Sequence, residues 1–175
     1  PLLIAVPFSS PWKTLADLIK DAKAKPGHYA FGSGGLYRIA HVNTELFIRA
    51  VGLEFRHVPY AGGGPALSAL VGNHIDFAAV TVSSSIPLVR GNKLRILAVQ
   101  SDQRIKSLPD TPALKEQGID AELRMWIGLW APQKTPKPVV EKLQKVLKQV
   151  TEDKSFINII ENQGDEVHFM AGDEW

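Results

Sequence analysis

A chain of 175 residues can bury one ordinary domain or two small lobes with real cores. Its 45% hydrophobic and 22% charged residues match the balance of a soluble globular protein. A net charge of +2 is too small to imply a nucleic-acid partner, and no basic stripe compensates for it, so none is expected. The lack of cysteine excludes disulfides, thiol catalysis and Cys-based zinc sites. No apolar run reaches the roughly 18 residues that crossing a bilayer requires, so the chain is expected not to span a membrane.

The opening Leu2–Val6 run reads as a buried strand ended by Pro7. Thr14 with Asp17 makes an acidic variant of the capping box ahead of a helix from about Leu15 to Lys25. Leu15, Leu18, Ile19 and Ala22 fall on one face of it, and Pro26-Gly27 stops it. Tyr29-Ala30-Phe31 is the next strand, followed by a Gly32-Ser33-Gly34-Gly35 loop and a helix from Arg38 to Ala50. A third strand spans Glu54 to Val58. The turn from Pro59 to Pro65 then enters a helix that runs to about Val71, with Pro65 suited to its first position. Ile75 to Val80 forms a fourth strand, Ser83-Ser84-Ser85 precedes a helical turn containing Leu88 and Val89, and Leu94 to Val99 forms a fifth strand. From Leu2 to Val99, strand and helix alternate at the spacing of crossover units, with strands apolar enough for a parallel sheet covered on both faces.

The texture then changes. Asp110 to Gln117 predicts a short helix closed by Gly118, and residues 121–131 form one long extended stretch able to carry the backbone between lobes. Pro136 and Pro138 open a helix whose Val139, Leu143, Val146, Leu147 and Val150 repeat at three and four. A last helix is expected from Lys154 to Glu161, then a strand from Glu166 to Phe169. Pro1 leading straight into a strand, and a final segment resembling the start of a capped helix, suggest a piece of a longer protein.

Three loops share the layout of apolar strand, small-residue turn and helix. In an open parallel sheet such loops emerge at the carboxyl ends of the strands, where free helix amides and the positive end of the dipole favour a carboxylate. The first is Gly32 to Gly35, in which Ser33 adds a hydroxyl and Gly34 and Gly35 allow close backbone approach; alternatively these glycines only make the turn. The second joins Tyr60 to Gly62, Gly63 and Gly64, with Tyr60 either a pocket wall or a core aromatic. The third is Thr81 to Ser85, where Ser83 and its neighbours are ligand donors or N-caps. Arg38 follows the first loop and is placed for a bidentate carboxylate contact or for a surface role with Glu45. Asp76 would bind an amino group or orient a loop through backbone amides, and His41 is a ligand donor or a structural residue.

An enzyme is the weaker reading. The five histidines form no H-E-x-x-H pair, and G-x-G-x-x-G, Walker and G-x-S-x-G patterns are absent, so no cofactor is expected. The alternative kept open is a small α/β hydrolase using a Ser/His pair, assembled from Ser33, His41 and Asp76.

Several motifs taken in order resemble the extracytoplasmic solute receptors of tripartite tricarboxylate transporters, the bacterial Bug family. They are Ser9 to Leu18, Lys25-Pro26-Gly27, Gly32 to Gly35, Ala40-His41, Glu45-Leu46-Phe47, Val58 to Ala66, Ile75-Asp76, Arg90 to Arg95, Leu108 to Pro112 and Trp126 to Pro132. The resemblance implies a type II periplasmic-binding-protein-like α/β fold with two lobes, present here as one complete lobe plus part of the other. Residues 1–120 would form the ligand-binding lobe, 121–131 the crossover strand, and 132–175 a partial return to the first lobe. It further implies a periplasmic protein that binds a small organic acid or amino acid, performs no chemistry on it, and delivers it to a membrane permease. Family contacts carry over to Ser33, Gly34, Gly35, Tyr60, Ala61, Gly62, Gly63 and Asp76, with Thr81 or Ser83 nearby. This chain departs from many relatives at Tyr37-Arg38, where they have a small Gly-Ser pair, and at Ala61, where they have lysine. On this division, the apolar stripe of the 136–150 helix is expected to be left uncovered within the chain.

Overall fold

The computed structural model describes residues 1–121, 127–162 and 165–172, and the chain divides into two compact units, Pro1–Met125 and Trp126–Trp175. Residues 122–126 of the expected 121–131 crossover lie outside the described residues, as do 163–164 and 173–175; residues 127–132 carry no regular secondary structure.

The first unit runs β1 (Leu2–Pro7), α1 (Leu15–Ala24), β2 (Ala30–Ser33), α2 (Ile39–Val51), β3 (Arg56–Pro59), α3 (Gly63–Val71), β4 (Phe77–Thr81), α4 (Val82–Arg90) and β5 (Leu94–Gln100). The strands form one sheet in the order β3-β2-β4-β1-β5. β2 is parallel to both β3 and β4. β1 is antiparallel to β4 and to β5, so four strands point one way and β1 alone points the other. The uniform parallel alternation expected from Leu2 onward therefore begins only at β2. Burial on both faces is compatible with either direction for β1, which is why its composition did not reveal the reversal.

Helices cover both faces of the sheet. Leu15, Leu18 and Ala22 of α1 and Phe47 and Ile48 of α2 pack with Ile4, Val6, Phe31 and Phe77 on one side. Ala69 and Leu70 of α3 and Val82 of α4 pack with Leu3, Ala5, Ala78, Val80 and Val99 on the other. Phe31, Phe47 and Phe77 are wholly buried, each contributing about 1.5–3 kcal/mol by the usual area bookkeeping. The Thr14 capping box forms as expected, with Asp17 N–H donating to Thr14 Oγ1 at 3.2 Å and Thr14 N–H to Asp17 Oδ2 at 2.8 Å.

Several boundaries move, for local reasons. β2 extends through Gly32 and Ser33, because both pair with Val58 and Pro59 of β3. α3 begins at Gly63, so Pro65 is its third residue, a position whose amide would also lack an intrahelical partner. Ser83, Ser84 and Ser85 lie inside the first turns of α4, for which Thr81 stands at the N-cap position without a side-chain cap bond. The helix expected at Asp110 to Gln117 shrinks to a 3₁₀ turn at Lys115–Gln117 closed by Gly118. Val99 N–H donates to Pro112 O and Leu114 N–H to Val99 O, which ties the preceding segment to the end of β5.

In the second unit α5 (Lys137–Glu152) packs against α6 (Lys154–Asn162). Asp153 links them, accepting from Phe156 N–H at 2.9 Å as a cap. No residue of either helix is buried, and Val139, Leu143, Val146 and Val150 are exposed by 39–48%, the uncovered stripe that was expected. Glu166 to Phe169 forms no strand, having no partner strand among the described residues.

Asp76 sits where β4 begins and accepts from Ala30 N–H at 2.7 Å while its own N–H donates to Ala30 O at 2.9 Å. Ala30 is 4% exposed, so replacing Asp76 with alanine strands a buried donor at a cost of about 1–3 kcal/mol. Urea unfolding of Asp76→Ala is expected to show a lower midpoint with an unchanged slope.

Candidate functional site

The register decides which loops meet. Ser33 at the end of β2 faces Pro59 at the end of β3, and β4 runs beside β2 in the same direction to Thr81. The turns after β2, β3 and β4 therefore leave neighbouring strands at one edge of the sheet, as the sequence predicts. Gln100, at the end of β5, and Leu2, where β1 begins, share that edge.

The first two turns touch through their backbones. A Cβ built on Gly34 would stand 2.8 Å from Gly63 N and 2.9 Å from the Gly62 carbonyl carbon. Real side chains do not make such contacts, so the approach exists only because both turns lack side chains here. Gly35 at φ +133° and Gly62 at φ +150° adopt backbone that L side chains disfavour. Among the described residues, the N–H groups of Gly34, Gly63 and Gly64 donate to no protein acceptor. Those of Gly63 and Gly64 open α3, beside the positive end of its dipole.

Ser33 is 1% exposed, and its hydroxyl is spent within the protein. It donates to Gly35 O at 3.0 Å, accepts from Gly35 N–H at 3.3 Å and lies 2.7 Å from His57 Nε2. The His57 ring stacks on Phe31 at 4.7 Å and on His41 at 3.9 Å, with the two imidazoles only 10° from parallel. Burial, and then the neighbouring His41, push the His57 imidazole below the usual histidine range, while Glu45 opposes the shift. His41 Nδ1 accepts from Tyr37 N–H at 3.0 Å, and its Nε2 lies 3.7 Å from Glu45 Oε1.

Tyr37 adopts φ +57° and is 84% exposed. Tyr37 thus holds a left-handed position that glycine would occupy without strain. Arg38 is the N-cap residue of α2 but makes no side-chain cap bond. Its Cδ and Nε lie over Gly35, each 3.4 Å from where a Cβ would be, and its side chain makes no ion pair with a described residue. Glu45 approaches His41, not Arg38.

The remaining candidates divide. Tyr60 packs with the core cluster beneath α3, its Cε2 3.3 Å from where a Gly32 Cβ would lie. Ala61 is exposed in the bend before Gly62. Thr81 Oγ1 lies 2.7 Å from Ser84 Oγ, while Ser83 is exposed on the first turn of α4. Asp76 is at the opposite edge, at the amino ends of β2 and β4, committed to Ala30. The Ser33–His41–Asp76 grouping does not assemble, since Ser33 meets His57 and Asp76 lies a strand's length away. No carboxylate hydrogen-bonds His57 among the described residues, and no group of three or more metal-binding side chains gathers there. His57 was absent from the sequence-derived candidates. Only the parallel pairing of β3 with β2, which sets His57 opposite Phe31, brings it to Ser33.

Comparison with known proteins gives this geometry a context. The sequence model of the tripartite tricarboxylate transporter family receptor matches residues 1–174. An Agrobacterium vitis protein described as a UPF0065 protein in the TAR-I ttuE-ttuC' intergenic region is 37% identical over 142 residues, covering 81% of this chain and 41% of that one. Protein BugT of Bordetella pertussis is 28% identical, covering 94% and 51%. Among solved structures, R. palustris Rpa4515 with adipate superposes with a TM-score of 0.90 at 28% identity, covering 99% of this chain and 58% of that one. The periplasmic binding protein BugD does so with a TM-score of 0.85 at 29% identity, covering 95% and 56%. The chain spans about half the length of the curated relatives it matches. Matched relatives with the same lobe confirm its fold as the type II periplasmic-binding-protein kind.

Two glycines of the site separate close packing from mere turn formation. Gly34→Ala is expected to lower stability by about 1–3 kcal/mol, because it forces backbone apart. Gly64→Ala, with nothing within 4 Å of its Cβ, is expected to be neutral or to stabilise by up to about 1 kcal/mol. Thermal unfolding of the two variants measures the contrast.

Proposed function

The chain belongs to the tripartite tricarboxylate transporter receptor family, and from that premise we propose that it binds a small carboxylate-bearing solute in the periplasm and delivers it unchanged to a membrane permease. The observation that carries the reading is the close contact of Gly34 with Gly62 and Gly63, at the edge where unbonded amides and the starts of α2, α3 and α4 gather. A carboxylate set there meets N–H donors and the positive ends of helix dipoles, and needs no lysine. R. palustris Rpa4515, solved with adipate, is a relative whose ligand is of this chemical class.

On this reading the ligand contacts are the amides of Gly34, Gly63 and Gly64, the Arg38 guanidinium, and the hydroxyls of Thr81 and Ser83. Ser33 serves by holding the first turn, and Tyr60 by supporting the second from below. Asp76 has no place among them, because its carboxylate caps the far edge of the sheet. The solute is an organic acid or an amino acid; Tyr37-Arg38, in place of the small pair of many relatives, gives this turn a larger and more cationic rim.

Calorimetry of the full-length protein against succinate, malate, adipate, citrate, aspartate and glutamate tests the proposal. Micromolar binding of at least one acid, recovered chemically unchanged, is expected; conversion of any of them would replace the receptor by an enzyme. Arg38→Ala should weaken the best-bound acid several-fold, since a charge-assisted hydrogen bond is worth about 1.5–3 kcal/mol when shielded and less at an exposed position. An unchanged affinity would remove Arg38 from the site.

A further inference from the structure

The two stacked imidazoles belong to no ligand contact named above, yet each is tied to the same turn. His57 reaches its first residue through Ser33 Oγ at 2.7 Å, and His41 reaches its last through Tyr37 N–H at 3.0 Å. Between these anchors lie Gly34, Gly35 and Leu36, and Gly34 is the residue that meets Gly62 and Gly63.

Assigning the protons orders these contacts. Ser33 has one hydroxyl proton, and it is used on Gly35 O at 3.0 Å. With the proton so assigned, His57 Nε2 at 2.7 Å is the donor, because two acceptors cannot share that distance, and the tautomer of the ring tests the assignment. His41 Nδ1 accepts from a backbone amide, so its proton is on Nε2, toward Glu45. Each ring thus presents a defined tautomer, one a donor and the other an acceptor. The rings are held in place by their own stacking and by Phe31, 4.7 Å from His57 and 6.1 Å from His41. Other side chains near the pair are Glu45 on α2, the Tyr37 ring at 5.8 Å from His41, and uncharged Phe77 behind Phe31. The His41 bond also explains how Tyr37 tolerates φ +57°, a conformation that costs a residue with a side chain about 1 kcal/mol or more.

We propose that His41 and His57 are the positioning residues of the Ser33–Tyr37 turn, one imidazole clamping each end so that the turn's amides are held ready for an anion. The proposal takes its purpose from the receptor reading, but its test needs no ligand.

Nitrogen-15 NMR of the unliganded full-length protein reads both tautomers and the exchange protection of the Gly35 and Tyr37 amides. Both rings are expected to carry their proton on Nε2. His57→Leu should lower protection at Gly35, and His41→Leu at Tyr37, each by roughly fivefold, the worth of an ordinary hydrogen bond. His57→Gln sets an amide nitrogen near the site of Nε2, and His41→Asn sets a carbonyl oxygen near that of Nδ1; each should restore most of the protection. An Nδ1-protonated neutral ring at either position would overturn the proposal. So would protection unchanged in the leucine variants, or lost equally in the leucine and amide variants, which would make the rings packing elements only. Should a leucine variant fail to fold, the tautomers of the unsubstituted protein still decide. Failure of every acid to bind would defeat the receptor reading without altering these amide measurements.

Discussion

Parallel hydrogen bonding of β2 to both β3 and β4 carries three chain turns to one edge of the sheet and sends their helices back over its faces. Each helix start exposes amides that its own backbone cannot satisfy, and the aligned peptides behind them add a partial positive charge of about half a unit. The three effects coincide because the strands point the same way. Had β2 alone been reversed, Ser33 would face the edge that Asp76 occupies, and the glycine turns would lie on opposite sides of the sheet.

The second constraint is proximity. Backbone can meet backbone at Gly34 and Gly62–Gly63 only where side chains are missing, so the site is shaped by what the sequence omits. That saving has a cost next door. Tyr37 stands in left-handed backbone without glycine's freedom, and an imidazole holds its amide. In return the chain gains a bulky, exposed aromatic and an arginine at the mouth of the turn. If the proposed receptor function holds, selectivity among acids of similar charge would come from the rim, while the amides would supply affinity common to all of them.

Much of this was legible from residues alone. Continuous apolar runs marked β1, β4 and β5, the Thr14–Asp17 pair marked the start of α1, and the strand–turn–helix layout located the three loops. Pairing geometry was not legible. Leu2–Val6 is apolar on both faces whichever way it runs, so its antiparallel direction had to be seen. Gly32 and Ser33 looked like loop residues because glycine and serine are poor strand formers, yet β3 recruits both into β2. Asp76 offered two readings, a contact to an amino group or an acceptor for backbone amides, and the start of β4 brings its carboxylate to the Ala30 N–H. His57 carried no local signal at all, since its partners Ser33 and His41 come from a different strand and a helix.

The reversed strand also bears on how the lobe comes to be folded. β1 precedes every other strand of the sheet in the chain, yet its two neighbours are β4 and β5, the last to be made. Until Leu94–Gln100 has emerged, Leu2–Val6 is an apolar, proline-free ribbon with one edge or both unpaired, the kind of segment that adheres to copies of itself. β2, α2, β3 and α3 can meanwhile assemble through short-range contacts, leaving a slot that β1 must enter between strands distant from it in sequence. Closing such long loops is slow, and this is the step at which the lobe is most exposed to aggregation.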